Sequence, residues 1–227
     1  MDLKNKIVVI TGSGRGFGKV MALAFQKEGA QVVLSSNEAE ILAASAQELN
    51  CPSIIADVTK EEDVQRLAAL AMEKFGRIDI WINNAGIRVP HSPIEEIDFA
   101  AMKKMVDINL FGLAYGSKAA LVQMKKQGSG TIINIISKII FNDYAGSAAY
   151  CASKYAAFGF TKILRVEAEL AGIQVFSLYP GGMKTNLFDG DKPEDFGTYL
   201  EPTFVAEKLI ANLKQENPEK ELIVKRI

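Results

Sequence analysis

The sequence predicts a doubly wound α/β fold: one parallel sheet of about seven strands with helices on both faces. Three observations predict it. Short runs rich in Val and Ile alternate with longer helical patterns throughout the 227 residues. The short runs are continuously apolar, as strands covered by helices on both sides must be. The first of them, Lys6–Ile10, ends in a glycine-rich turn, where sheets of this kind face their ligand crevice.

Each element follows in order. Residues 6–11 read as a strand and 18–29 as a helix with Met21, Leu23, Ala24 and Phe25 near its apolar face. Residues 31–36 are a second strand, and Asn37 is placed to cap a helix over 38–49. A third strand covers 52–57. Thr59 and Asp63 then bracket the first turn of a helix that ends near Gly76. Strand 77–84, a helix over about 99–127, strand 130–137, a helix over about 150–171 and strand 173–180 continue the alternation. A helix over about 202–214 and the strand Glu221–Ile227 complete it. Right-handed crossovers join parallel neighbours. No repeat, linker or low-complexity tract interrupts residues 1–227, which read as a single domain.

Composition narrows the function. With 48% hydrophobic residues the chain can bury one sizeable core. Lys+Arg (26) nearly balances Asp+Glu (27), so neither nucleic acid nor a membrane surface is expected as partner. The opening apolar run is one strand long and ends in glycine, unlike a signal peptide or a span. Cys51 and Cys151 form no C-x-x-C pair, which suggests reduced thiols and a cytoplasmic protein. His91 is the single histidine; that excludes most His-based zinc sites and any Ser-His-Asp triad, and no metal is expected.

Residues Thr11–Gly18, TGSGRGFG, fail the G-x-G-x-x-G test, because Phe17 and Lys19 stand where glycine is required. Their spacing is Gly12-x-x-x-Gly16-x-Gly18, which still allows close backbone approach to a pyrophosphate at a helix N-terminus. An ordinary glycine-rich turn is the bland alternative. The T-G-x-x-x-G-x-G spacing resembles the short-chain dehydrogenase/reductase family, whose Rossmann-type fold binds a nicotinamide dinucleotide there; the resemblance implies the strand order 3-2-1-4-5-6-7. Other motifs follow in the family's order: Asp57-Val58, Asn83-Asn84-Ala85-Gly86, Asn109, and Pro180-Gly181 with Met183 and Thr185. The resemblance spans residues 11–185. It implies cofactor contacts from Gly12, Ser13, Arg15, Gly16, Phe17, Gly18, Ser36, Asn37, Asp57, Val58, Asn84, Ala85, Gly86, Pro180, Gly181, Met183 and Thr185.

Tyr150 and Lys154 stand four apart, so a helix puts them on one face. A solvated helix pair is the alternative, and the pattern alone is cheap. Ser137, thirteen positions before Tyr150 at a strand end, matches the family's third catalytic position. The pairing has a physical reason. Carbonyl reduction needs a proton and alcohol oxidation needs a base, and a phenol of pKa ~10 is poor at both near neutrality. An ammonium about 4 Å away is worth roughly 4 kcal/mol to a phenolate at an effective dielectric of 20, lowering its pKa towards ~7. Ser137 would polarise the carbonyl. The resemblance implies that Lys154 and Tyr150 also contact the cofactor and that Asn109 holds a water linking Lys154 to solvent. Ile136 stands where many members have a second serine, and the glycine-rich tail of many members is missing. A homodimer is therefore expected rather than a tetramer. Helix 109–127, apolar on more than one face in its first half, would supply its contact together with helix 150–171.

The second strand ends Ser35-Ser36-Asn37, with no acid to bind ribose hydroxyls. Ser36, Asn37 and Arg15 can instead hold a 2′-phosphate, so NADP(H) is the expected cofactor. Glu38, turned inwards, would favour NAD(H). The substrate rim falls in 87–98, 138–149 and 182–201, with Ile87, Val89, Ile94, Ile139, Ile140, Phe141, Tyr144, Met183, Leu187, Phe188, Phe196 and Tyr199. This suits a moderately apolar carbonyl compound or secondary alcohol. Lys138 and Lys184 flank the site and read first as solvated lysines, with contact to an acidic substrate group as the alternative. Residues 181–201 are long for an α/β connection and read as a lid. A non-catalytic dinucleotide sensor is the first rival, yet such proteins typically lose the Tyr or the Lys. An extended epimerase or dehydratase is the second, and it needs a further substrate domain.

Overall fold

The computed structural model describes residues 1–226. The first half runs β1 (Ile7–Ile10), α1 (Gly16–Lys27), β2 (Gln31–Ser36), α2 (Ala39–Leu49), β3 (Ser53–Ile55), α3 (Glu61–Phe75) and β4 (Ile80–Asn83). The second half runs α4 (Phe99–Val106), a π-helical segment Asp107–Gly112, α5 (Leu113–Gln127), β5 (Thr131–Ile135), α6 (Ala148–Glu169), β6 (Gln174–Pro180), α7 (Pro202–Leu213) and β7 (Glu221–Val224). All these strands lie parallel in one sheet, in the order β3-β2-β1-β4-β5-β6-β7. That is the order the resemblance implies.

Alternate residues of each strand point to opposite faces, and both faces are covered. Val8, Ile10, Ile80 and Ile82 pack with Met21, Phe25 and Leu209 beneath α1 and α7. Val9, Trp81 and Ile132 pack on the other side with Leu67, Ala120, Met124 and Leu164 from α3, α5 and α6. This double burial is why the strands read as unbroken apolar runs. Among the described residues, no helix is long and apolar enough to cross a membrane.

Three local expectations are corrected. Asn37 does not cap α2: the cap position is Glu38, without a side-chain bond, and Ser36 Oγ accepts the Glu38 N–H. β2 ends at Ser36 as expected, but with the Glu38 N–H bonded back to Ser36 Oγ the helix begins one residue later, and Asn37 is left lining the cleft. Thr59 and Asp63 do not form a capping pair, because the cap position of α3 is Lys60. Thr59 donates to Asp57 Oδ1, while Asp63 Oδ2 accepts the Asp57 N–H and ties the end of β3 to α3. The single helix expected over 99–127 is divided by the π segment, whose wider turn carries Asn109. Asp98 caps its start, accepting from the N–H groups of Ala100 and Ala101.

Candidate active site

β1 ends at Ile10, and the chain turns through Thr11–Arg15 into α1, whose first turn carries no acidic residue. Its leading N–H groups are thus available to an anion. Gly12 has φ 61°, and a Cβ there would lie 2.8 Å from Ala85 Cα. A Cβ on Gly18 would lie 2.4 Å from the Gly12 carbonyl oxygen. Glycine is therefore required where the loop, the helix and the end of β4 meet. The adjoining segment is bonded to the loop: Thr11 Oγ1 accepts the N–H groups of Asn84 and Ala85, and Asn84 Nδ2 donates to the carbonyls of Thr11 and Gly12. Ser13 is fully buried, donating to the Ile10 carbonyl at 2.8 Å and accepting the Ser35 N–H at 3.0 Å. It fastens the loop to β2.

At the far end of β2, Ser36, Asn37, Glu38 and Asp57 line a cleft of about 1160 Å³. Arg15 pairs with Glu38 there at 2.9 Å, both side chains half-exposed. At the other end, Ser137 follows β5, and Tyr150 and Lys154 lie in the first two turns of α6. All three line the same cleft as the glycine loop. Lys154 is buried; its Nζ donates to the Ile135 carbonyl at 3.0 Å and lies 5.9 Å from the centre of the Tyr150 ring. Burial lowers its pKa to about 8. Tyr150 is shifted upwards by burial, with the Ser137 hydroxyl and the Arg88 charge pulling it back. This corrects the expectation that Lys154 alone would set a low phenol pKa. The ammonium lies over the ring and is bonded to a carbonyl, and desolvation dominates at the phenol.

The cleft suits a dinucleotide on its own geometry. It has the volume, a glycine-rich loop before a helix N-terminus, and a buried cation at the opposite end.

The sequence model of the family described as short chain dehydrogenase matches residues 6–195. This chain belongs to that family. As an oxidoreductase of the short-chain dehydrogenase family, it is 37% identical over 216 residues to an uncharacterised oxidoreductase of Staphylococcus aureus, covering 94% of this chain and 93% of the relative. Among solved structures, an alcohol dehydrogenase from the archaeon Thermococcus sibiricus complexed with 5-hydroxy-NADP superposes with a TM-score of 0.88 at 27% identity, covering 99% of both chains. A 3-ketoacyl-(acyl-carrier-protein) reductase from Brucella melitensis complexed with NADH gives 0.90 at 29% identity, covering 98% of this chain and 97% of that one.

In this short-chain dehydrogenase, Gly12, Arg15, Gly16, Phe17, Ser36, Asn37, Asp57, Val58, Asn84, Ala85, Gly86, Pro180, Gly181, Met183 and Thr185 line the cleft with Ser137, Tyr150 and Lys154. Ser13, Gly18 and Asn109 stand behind its wall. Asn109 Oδ1 accepts the Ile87 N–H at 2.9 Å, and its Nδ2 donates to the Ile87 carbonyl and to Ser153 Oγ. Its amide is thereby taken up in holding the strip beyond Gly86 against α6. Of the rim residues expected from sequence, Ile87, Ile139, Tyr144, Met183, Leu187, Phe188 and Tyr199 line the cleft. Ile140 and Phe141 instead pack with Tyr179, and Phe196 packs on Phe188 and Tyr199. Val89 and Ile94 are not among the lining residues.

The segment 181–201 is held down at several points. Met183 bridges Leu200 and closes the segment on itself, while from outside it Arg226 reaches Asp195 at 3.3 Å and Arg88 Nη2 reaches Asp191 Oδ2 at 3.0 Å. Arg88 was not among the residues singled out from sequence, yet it is the buried cation of the substrate end. Lys184 is instead paired with Glu201, and Lys138 lies at the rim. The available signal was position: Arg88 stands two residues after Gly86, at the exit of the motif that ends β4.

Proposed function

We propose that this protein is an NADP(H)-dependent carbonyl reductase or secondary alcohol dehydrogenase in which Tyr150 is the general acid and base. The observation that carries the reading is the meeting of Ser137, Tyr150 and Lys154 in one cleft with the glycine loop. When bound, the nicotinamide supplies or accepts the hydride. Ser137 donates a hydrogen bond to the substrate oxygen and orients it beside the phenol. Tyr150 passes its proton to that oxygen as the alcohol forms and withdraws it in the reverse direction. Lys154 stabilises the phenolate left behind, and with a pKa of about 8 it is mostly protonated at neutral pH. Asn109 holds Ile87 in place; a proton relay there would have to use water beside its backbone, because its amide is already bonded. The lid role of 181–201, a homodimer and a cytoplasmic location with free Cys51 and Cys151 belong to the same proposal. So do the absence of nucleic-acid and membrane partners and the absence of a metal.

The test follows NADPH and NADH absorbance against ketones, aldehydes and diketones beside Tyr150→Phe. That variant is expected to lose roughly 10²- to 10⁴-fold in kcat. Turnover close to wild type would remove Tyr150 from the role of proton donor. NAD(H) is the second reading, favoured by Glu38 lining the cleft and holding Arg15. On the NADP(H) reading a 2′-phosphate takes Arg15 from Glu38, and Arg15→Ala lowers the NADPH-to-NADH preference about tenfold. A wild-type enzyme that prefers NADH would decide for the second reading.

A further inference from the structure

Arg88 does work that the proton chemistry leaves unexplained. Its side chain is 6% exposed, yet it lines the catalytic cleft. A guanidinium keeps its proton at any working pH, so a cation this deeply buried requires an anion beside it. Among the described residues that anion is Asp191, whose carboxylate and backbone carbonyl each accept one N–H at 3.0 Å. The remaining guanidinium donors have no protein acceptor among the described residues. The plane of Arg88 also rests over the Phe188 ring, 4.7 Å from its centre, which holds it in one orientation.

The two partners differ in how firmly they are fixed. Arg88 is packed into the wall next to the Asn109-anchored Ile87. Asp191 sits on the 181–201 segment with 42% of its side chain exposed. The half-exposed Asp191 carboxylate can turn to water while the guanidinium keeps its bond to the Asp191 carbonyl and its place over Phe188. Arg88 lines the cleft together with Tyr150, Tyr199 and His91, at the substrate end. Ile87, Ile139 and Leu187 give the rest of that end an apolar lining.

Resting on the reductase reading above, we propose that Arg88 is the substrate-recognition residue and that the substrate is a carbonyl compound, or its alcohol, bearing a carboxylate. The substrate carboxylate takes the guanidinium from Asp191, one carboxylate replacing another, so the buried cation is never left unpaired. Asp191 is then the occupant of the anion site when no substrate is present.

The experiment compares keto acids of increasing chain length with their methyl esters, using wild type, Arg88→Leu, Arg88→Lys and Asp191→Asn. Wild type is expected to favour each acid over its ester. Arg88→Leu is expected to lower kcat/KM for the acid on the order of 10- to 100-fold more than for the ester, mainly through KM. Arg88→Lys restores part of that difference, and Asp191→Asn lowers KM for the acid by removing its competitor. Equal losses for acid and ester in every variant would make Arg88 a fastening for 181–201 and overturn the proposal. Calorimetric titration with 3-phenylpropionate, which carries the carboxylate and no reducible carbonyl, separates the two readings. Binding that depends on Arg88 without turnover of any carbonyl would sink the reductase reading and keep the anion site. Turnover of carbonyls with 3-phenylpropionate binding alike in all four proteins would do the opposite.

Discussion

Lys154 is a cation kept where a cation is poorly solvated, and this gives a test at the level of one residue. Its ordinary pKa of 10.5 falls to about 8 in the folded protein. Between those values the unfolded chain holds a proton that the folded one has released, so stability must rise with pH across this window. Measured against Lys154→Met, wild type is expected to gain up to about 3 kcal/mol between pH ~8 and pH ~10.5. Urea unfolding of both proteins at several pH values measures the gain. A constant difference would mean that Lys154 is well solvated after all. The sequence already pointed to Lys154 through its spacing from Tyr150. What it could not show is that Lys154 donates to the Ile135 carbonyl, 19 positions away along the chain but adjacent across the β5–α6 junction.

Between residues and elements lies a buried polar chain that joins the centre of the sheet to α5 and α6. Trp81 Nε1 donates to Asn83 Oδ1, and Asn83 Nδ2 donates to Ser117 Oγ and Asn134 Oδ1. Asn134 Nδ2 in turn donates to Thr161 Oγ1. The chain is satisfied only because α5 comes very close: a Cβ on Gly116 would lie 2.0 Å from Asn83 Oδ1 and 2.8 Å from Trp81 Nε1. Gly116→Ala must therefore push the helix away or break these bonds. A loss of about 3 kcal/mol is expected, lowering Tm on the order of 10 °C, with an altered emission of Trp81, the single tryptophan. Unchanged emission and Tm would show that the helix yields freely. Element identity was legible from apolar runs and spacing, whereas element ends were not. Asn37 and Thr59 have good capping chemistry, but the Ser36–Glu38 and Asp57–Asp63 bonds set the starts of α2 and α3 one residue later.

At the scale of the whole molecule, the outer faces of α5 and α6 present Val122, Phe160, Ile163, Val166 and Leu170 to solvent, with Phe111 beside them. A groove of about 420 Å³ between the helices is lined by Tyr115, Leu121, Phe160 and Ile163. The two-sided apolar character of helix 109–127 is thus accounted for by one face on the sheet and one face outside. Exposed area of this kind argues for a partner, and the proposed homodimer would cover it. Sedimentation at micromolar concentration is expected to give a dimer for wild type and a monomer for Ile163→Asp. A monomeric wild type would refute the dimer.

By itself the sequence determined the parallel sheet, the glycine loop and the Ser137, Tyr150 and Lys154 set, because these depend on period, spacing and order along the chain. Only the tertiary structure decided which of the named residues line the cleft and which stand behind it. Ser13 read as a cofactor contact and Asn109 as the holder of a relay water; in the structure Ser13 is bonded to backbone, and Asn109 to the Ile87 backbone and Ser153. Arg88, which no motif in the sequence marks, is buried against Asp191, 103 positions away. Burial and the choice of partner depend on contacts between distant segments, and no local pattern encodes them.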